Sequence, residues 1–214
     1  MTARDMLLSR IRAALSGDSV TKEEIDRDYR QETQATRAEI TAEFAQRVAE
    51  YRATVARLPA RELPAAIAAA CSRHGVRTLV VPDDMPPEWL PEKTVVLRDG
   101  AQSEFSREQL DTTDGVLTGC LLAIAQTGTL VLDGGPLQGR RIISLLPDYH
   151  LCLVYEDQVV GLVAEAIARL GDVVRQSGRP ITLISGPSAT SDIELNRVEG
   201  VHGPRTLEVL LVSR

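Results

Sequence analysis

The densest set of polar residues in the chain lies near its carboxyl end. Residues 185 to 194 read Ser-Gly-Pro-Ser-Ala-Thr-Ser-Asp-Ile-Glu and follow a β-branched apolar run. Ser191 and Glu194 have the spacing of a capping box, which predicts a helix that begins behind Ser191. A helix start presents unpaired N–H groups and a partial positive charge, so it favours a bound anion. Ser191 could instead do no more than cap its helix. From this segment we predict four ligand-binding residues: Gly186, Pro187, Ser188 and Thr190.

A histidine among glycines and an aspartate of the preceding segment are candidates for proton transfer. His202 stands in Glu-Gly-Val-His-Gly-Pro, residues 199 to 204, where its ring is accessible to a ligand. We predict Asp192 and His202 as catalytic acid and base. The other histidines, His74 and His150, are predicted at a helix end and at the start of an apolar strand. Because the three histidines are scattered without helical ligand spacing, no metal site is predicted.

A threonine-rich turn could also contact a ligand. Residues 125 to 129 read Ala-Gln-Thr-Gly-Thr, and the glycine would let the backbone approach a ligand oxygen between two hydroxyl donors. The glycine could equally be the stop of a helix. From this segment we predict contacts by Thr127, Gly128 and Thr129.

A glycine-rich loop at residues 133 to 141 ends in two arginines. We predict Arg141 as an anion clamp, because a guanidinium group matches the geometry of a carboxylate or a phosphate. A solvated surface loop is the alternative. The chain has neither the Walker spacing nor Gly-x-Gly-x-x-Gly, so nucleotide binding by those routes is not predicted.

Short β-branched runs alternate with helix-length segments from about residue 61 onward. This alternation predicts an α/β fold with a mostly parallel sheet flanked by helices. Ligands in such sheets collect beyond the carboxyl ends of the strands, so the site is expected at that edge. The predicted strands are residues 78–82, 94–97, 115–118, 129–132, 150–154, 181–184 and 207–212. The predicted helices are residues 64–73, 106–110, 120–126 and 157–170.

The first 60 residues have a different pattern. Apolar residues recur at intervals of three and four from Ile40 to Leu58, until Pro59 ends the run, which predicts one long helix. Its opposite face is charged, so the helix could lie on its own domain or pair two subunits into a homo-oligomer. We therefore predict an N-terminal helical arm at residues 1–60 and one α/β domain at residues 61–214.

Composition argues against several functional classes. The 214 residues have a formal net charge of -6 and 3% aromatic residues, which disfavours nucleic-acid binding. No apolar run approaches the roughly 20 residues that span a bilayer, and the amphipathic amino terminus is unlike a secretion signal. A cytoplasmic location is expected. Cys71, Cys120 and Cys152 are far apart in apolar surroundings, so neither an iron–sulfur cluster nor another cofactor is predicted.

Four segments together resemble the lactate-utilisation protein C family, whose members carry the LUD domain. They are residues 125–129, Arg141 with Leu-Leu-Pro at 145–147 and His150, residues 186–193, and Gly-Val-His-Gly-Pro at 200–204. The resemblance extends over nearly the whole chain. This chain departs from the family pattern at Gln126, where members commonly carry an acidic residue.

The resemblance implies a fold similar to that of the sugar-phosphate isomerase and coenzyme A transferase group. It also implies an accessory role in the cytosolic oxidation of L-lactate to pyruvate, together with two iron–sulfur partner proteins. The chain itself would bind a small carboxylate or a phosphorylated ligand. The alternative is a stand-alone isomerase or acyl/coenzyme A transferase that acts on an anionic substrate, with Asp192 or His202 as base.

Overall fold

The computed structural model of the chain describes residues 2–16, 29–101, 103–191, 197–199 and 203–214; of residues 189–191 and 197–199 it describes the backbone. Two compact units are present, Met1–Arg30 and Gln31–Arg214. The first contains helix α1 (Ala3–Leu15), which begins with a reciprocal capping box between Thr2 and Asp5. Four of its large apolar side chains are exposed, those of Met6, Leu7, Ile11 and Leu15.

The second unit contains the sheets. Its helices are α2 (Arg37–Glu50), α3 (Leu63–Arg73), α4 (Arg107–Asp111) and α5 (Val163–Ser177). Its strands are β1 (Thr54–Pro59), β2 (Thr78–Pro82), β3 (Val95–Asp99), β4 (Gly115–Thr118), β5 (Leu122–Ile124), β6 (Thr129–Leu132), β7 (Tyr149–Tyr155), β8 (Val159–Val160), β9 (Thr182–Ile184), β10 (Ala189–Ser191), β11 (Arg197–Glu199) and β12 (Thr206–Ser213). No helix in the described ranges combines the length and apolar character needed to cross a membrane.

Six strands form a parallel sheet in the order β1-β12-β7-β4-β2-β3. At its centre His150 of β7 lies beside Leu207 of β12 and Val116 of β4. The central strands are rich in aliphatic residues and are buried on both faces, as is typical of parallel sheets. The predicted α/β fold with a mostly parallel sheet is confirmed.

A second, mixed sheet has the order β8-β5-β6-β9. β5 and β6 form an antiparallel hairpin, β9 pairs antiparallel with β6, and β8 pairs in parallel with β5. β10 and β11 form a separate antiparallel pair. The predicted strands at 129–132 and 181–184 therefore exist, but they belong to this second sheet.

Hydrophobic clusters on both faces of the large sheet hold the layers together. On one face α3 packs Ile67 against alternate strand residues such as Leu151. On the other face Phe44 of α2 and the second sheet pack against the intervening residues, such as Val209. Leu170 of α5 covers the opposite side of the second sheet.

The prediction of one long helix that reaches Leu58 is wrong. α2 ends at Glu50, and after a turn in which Arg52 has a φ of 65° the chain forms β1, which pairs in parallel with β12. The three- and four-residue spacing suits a helix, but pairing at the sheet edge buries Leu58 and overrides that preference. The division predicted after residue 60 falls within the second compact unit.

Three other helix predictions also change. Residues 120–126 contain β5, because a short apolar run fits a buried strand as well as a helix. The helix predicted at 157–170 begins only at Val163, after a 3-10 turn and β8. Ser191, predicted to cap a helix, belongs to β10, and its predicted capping partner Glu194 lies outside the described residues.

Candidate functional site

A cleft of about 330 Å³ lies at the amino ends of β7 and β12, on the face of the large sheet that also carries the second sheet. His150, Leu207, the loop after β9 and the 3-10 helix Arg141–Ser144 line it. We expected the carboxyl ends of the parallel strands instead. The loop reaches the amino ends because β9 belongs to the second sheet. The predicted ligand-binding residues in the lining are Arg141, Gly186, Pro187 and Ser188.

The loop that follows β9 is shaped by contact with the end of α2. Gly186 has a φ of +77°, and a Cβ at this position would lie 2.6 Å from the Cβ of Tyr51. Pro187 has no N–H, and the Ser188 N–H donates to the Pro204 carbonyl at 2.8 Å. Of the three backbone positions expected to bind an anion, Pro187 and Ser188 are therefore unable to donate to it. Side chains would have to balance the negative charge of the anion.

The Thr-Gly-Thr segment, residues 127–129, contacts the start of this loop. It turns the β5–β6 hairpin, where Gly128 has a φ of +59° and a Cβ would meet the Val48 nitrogen of α2 at 2.8 Å. The Thr127 and Thr129 hydroxyl oxygens are 2.7 Å apart, and Thr129 is likewise 2.7 Å from the Ser185 hydroxyl. The cleft lining includes Ser185 but none of the three predicted residues. Their position indicates that they hold Ser185 in place.

The two adjacent arginines of the glycine-rich loop have different surroundings. Arg140 donates through Nε to the buried Asp99 carboxylate at 2.8 Å and through a terminal nitrogen to the Phe105 carbonyl. Arg141 is exposed, lines the cleft and forms no ion pair with a carboxylate of the described residues. Arg140 therefore has a structural role, whereas Arg141 lines the cleft and is not neutralised by a described carboxylate.

The large sheet forms one side of the cleft. The buried polar side chain of His150 lies on that side. It is 1% exposed, and its Nε2 lies 2.8 Å from the Thr118 hydroxyl. Its Nδ1 has no hydrogen-bond partner among the described residues. Burial lowers the pKa of His150 to about 4, so the ring is neutral at pH 7. An unpaired buried nitrogen is destabilising by about 1–3 kcal/mol, which makes its position beside a cleft informative about function.

The predicted acid–base residues are not placed by the structure. Asp192 and His202 lie outside the described residues, and of Thr190 in β10 only the backbone is described. Gly203, the neighbour of His202 in the chain, lines the cleft. The acid–base assignment stays a prediction. Within the ranges that the structure covers, no three His, Cys, Asp or Glu side chains are grouped to hold a metal ion.

Sequence reasoning missed His150, Ser144 and Ser185 as cleft residues. For His150, the alternation of side chains along β7 carried a signal. Leu151 faces α3, so its neighbour His150 faces the second sheet. No comparable signal marks Ser144, because a short 3-10 helix places it.

Gln126 is the position at which the chain departs from the pattern of the family that it resembles. Its side chain lies beside the first residue of α5. Its Oε1 accepts a hydrogen bond from the Val163 N–H at 3.1 Å, and Val163 is the first residue of that helix. A carboxylate oxygen could accept the same bond. Gln126 is absent from the described lining of the cleft.

A larger cleft of about 980 Å³ adjoins the first and shares Arg141 with it. Three carboxylates line it, on Asp111, Asp114 and Asp148. Arg205 also lines it but lies 3.6 Å from the Asp148 carboxylate, which offsets its charge. The smaller cleft is therefore the more favourable place for an anion.

A buried carboxylate close to the larger cleft is fully paired. Glu208 is 0% exposed and accepts from Arg73 at 2.6 Å and from the Tyr149 hydroxyl at 2.9 Å, while His74 Nε2 lies 3.1 Å away. Burial and the adjacent carboxylate raise the pKa of the Tyr149 phenol, so it remains a donor. The His74 ring stacks on Tyr149. This cluster ties the end of α3 to β7 and β12.

Curated proteins named Lactate utilization protein C are among those similar in sequence to this chain, and two of them serve as examples. A Lactate utilization protein C of Deinococcus radiodurans is 49% identical over 178 residues, which cover 83% of this chain and 82% of that protein. A protein of the same name from Exiguobacterium sp. is 34% identical over 145 residues, which cover 65% of this chain and 62% of that protein.

Comparison with solved structures and family models agrees with the fold. A crystal structure of a DUF162 family protein from Deinococcus radiodurans superposes with a TM-score of 0.72 at 42% identity, covering 83% of this chain and 99% of that one. The family model described as the LUD domain matches residues 31–212. That range contains the second sheet, the large sheet except for Ser213 at the end of β12, and the whole described lining of the cleft. The chain therefore belongs to the LUD domain family.

Proposed function

We propose that this chain is a non-redox accessory subunit of a lactate-utilisation system, and that its cleft at Arg141 binds a small anion. The observation that carries the anion site is the exposed Arg141 guanidinium, which meets no carboxylate of the described residues and lines a cleft with the loop after β9. Ligand oxygens there would accept charge-assisted hydrogen bonds. The name Lactate utilization protein C, borne by the two relatives, supports the wider role.

The three cysteines support electron transfer by partner proteins, which we expect to be two iron–sulfur subunits in the cytoplasm. Cys71 packs in the cluster on the α3 face of the large sheet, whereas Cys120 and Cys152 pack on the other face. Burial raises the pKa of the Cys71 thiol to about 11, so it stays protonated, while cluster ligands are thiolates. The sheet thus separates the thiols that would have to converge on a cluster.

Growth on L-lactate tests this role. A strain that lacks the gene for this chain should fail to grow on L-lactate, and the wild-type gene should restore growth. Arg141→Ala should not restore it, because the cleft would lose its cation. Arg61→Ala should restore it, since Arg61 is exposed and lies outside the cleft lining.

Two outcomes would contradict separate parts of the proposal. Normal growth of the deletion strain on L-lactate would contradict the role in lactate use. Full rescue by Arg141→Ala would contradict the anion site. Turnover of a sugar phosphate or an acyl thioester by the purified chain alone would favour the stand-alone enzyme instead.

A further inference from the structure

Helix α1 exposes a row of apolar side chains. Leu7, Ile11 and Leu15 recur every four residues, which places them on one face of the helix. Their exposed fractions are 62%, 47% and 64%, and no residue of α1 is buried. Isolated helices as short as α1, which has 13 residues, are marginally stable in water. A surface that covers the apolar row would therefore stabilise the helix.

The charges of α1 are mainly positive and border the apolar row on both sides. Arg10 and Arg12 are the chain neighbours of Ile11, so they project about 100° to either side of it. Arg4 adds a third guanidinium group, and none of the three pairs with a carboxylate of the described residues. The single acid, Asp5, is engaged in the capping box at the start of the helix. Three arginines and one aspartate give α1 a net charge of +2, whereas the whole chain has a net charge of -6.

We propose that α1 is an interfacial helix that binds the surface of an anionic lipid bilayer. The apolar row enters the boundary between headgroups and acyl chains, and the arginines on either side extend to lipid phosphates. Pairing of α1 with α1 of a second copy is disfavoured, since it would bring together six arginines and two aspartates. A protein groove would need acids along both of its borders, whereas a lipid surface presents phosphates on all sides of the helix. The proposal is independent of the anion site at Arg141.

Sedimentation of the full chain with lipid vesicles tests the proposal. One set of vesicles contains phosphatidylglycerol mixed with phosphatidylcholine, and the other contains phosphatidylcholine alone. We expect about tenfold or more tighter binding to the anionic set, and release by added salt, because salt screens the attraction of the arginines to the surface. The acidic chain as a whole is repelled by that surface, so binding reports on α1. Absence of binding to the anionic vesicles, or equal binding to both sets, would overturn the proposal.

Two substitutions that leave the charge of α1 unchanged test the apolar row. Ile11→Gln removes an apolar side chain from the centre of the row and should weaken binding to anionic vesicles about tenfold or more. Ser9→Gln is the matched control, because Ser9 lies about 160° away from Ile11 around the helix and should leave binding unchanged. Equal binding by the two variants would show that the row does not enter the lipid. Self-association of a chain that does not bind vesicles, lost in Ile11→Gln, would assign the row to a second copy instead.

A double substitution tests the arginines that border the row. Arg10→Gln combined with Arg12→Gln should weaken binding to anionic vesicles about tenfold or more and leave binding to phosphatidylcholine unchanged. A double variant that keeps the preference for anionic lipid would overturn the role of these arginines. The second compact unit begins at Gln31, so its thermal unfolding should be the same in the wild type and in every variant.

Discussion

At the scale of single residues, His150 combines burial with an unpaired ring nitrogen. Its side chain is nearly inaccessible to solvent, and in the described residues only Nε2 has a hydrogen-bond partner, the Thr118 hydroxyl of β4. In the unfolded chain water would bind both nitrogens, so the folded state loses stability at this position. Such a loss is typical of residues retained for binding rather than for packing.

Stability should fall on acidification as His150 titrates. Because the folded pKa of about 4 lies below the ordinary value of 6.5, the unfolded chain takes up a proton first. Above pH 6.5 this residue leaves the free energy of unfolding unchanged, and between pH 6.5 and pH 4 that free energy should decrease by about 3 kcal/mol. Urea titrations at pH 7 and pH 4.5 should show a larger decrease for the wild type than for His150→Asn, which cannot titrate there. Equal decreases would contradict the burial of a neutral histidine.

Tyr149→Phe should destabilise the chain by about 1.5–3 kcal/mol. The change removes a hydroxyl that donates to the buried Glu208 carboxylate at 2.9 Å, and hydrogen bonds to charged groups have this magnitude. Tyr51→Phe is the matched control, because Tyr51 is exposed and its aliphatic Cβ makes the contact with Gly186. Chemical denaturation measures both changes. A Tyr149→Phe protein as stable as the control would show that the Glu208 cluster does not depend on this hydroxyl.

At the scale of elements, α2 positions two of the loops that sequence analysis singled out. Gly128 lies against the backbone at Val48, and Gly186 lies against Tyr51, three residues further along the chain. Hydrogen bonds between the hydroxyl groups of Thr127, Thr129 and Ser185 join the two loops. The loop that lines the cleft is therefore held by the helix and by the hairpin turn together.

Gly128→Ala should be more destabilising than Gly178→Ala. Both glycines have a left-handed backbone, with φ of +59° and +62°, so both changes strain the backbone by about 1–2 kcal/mol. At Gly178 a Cβ meets nothing within 4 Å, whereas at Gly128 it would lie 2.8 Å from α2. Overpacking should add about 1–3 kcal/mol at Gly128. Thermal unfolding measures the difference, and equal melting temperatures would show that α2 moves away readily.

Prediction from the sequence succeeded where one local signal decided the outcome. β2, β4 and β6 have the predicted boundaries, because continuous apolar runs between turn residues mark buried strands. Prediction from the sequence failed where the pairing partner of a segment decides its structure. The spacing of residues 40–58 suits a helix until β12 offers an edge to pair with, and the sequence does not indicate that β6 and β9 leave the parallel sheet.

The candidate site shows the same limit. Arg141 and residues 186–188 line one cleft, and their contacts with a ligand stay a prediction. The described lining of that cleft does not include residues 127–129. Their position depends on the close contact of Gly128 with α2, and no local sequence pattern records that packing. Asp192 and His202 lie outside the described residues, so their roles remain predictions.

At the scale of the whole molecule, the compact unit that begins at Gln31 needs both α2 and β1. Phe44 and Val48 of α2 are fully buried, and β1 pairs with β12 along its whole length. A chain of residues 31–214 should therefore unfold cooperatively, whereas residues 61–214 should show no cooperative transition. Differential scanning calorimetry distinguishes the two. A cooperative transition in the shorter chain would support a domain boundary after residue 60.

The central claim, that Arg141 makes this cleft an anion site, is tested most directly by titrating pyruvate into wild-type and Arg141→Ala protein in a calorimeter. We predict a ten- to hundredfold loss of affinity, which corresponds to about 1.5–3 kcal/mol for a charge-assisted contact. The melting temperature should hold, because Arg141 is exposed and forms no ion pair with a described carboxylate. Equal affinity of the two proteins for pyruvate, or loss of affinity together with unfolding, would contradict the claim.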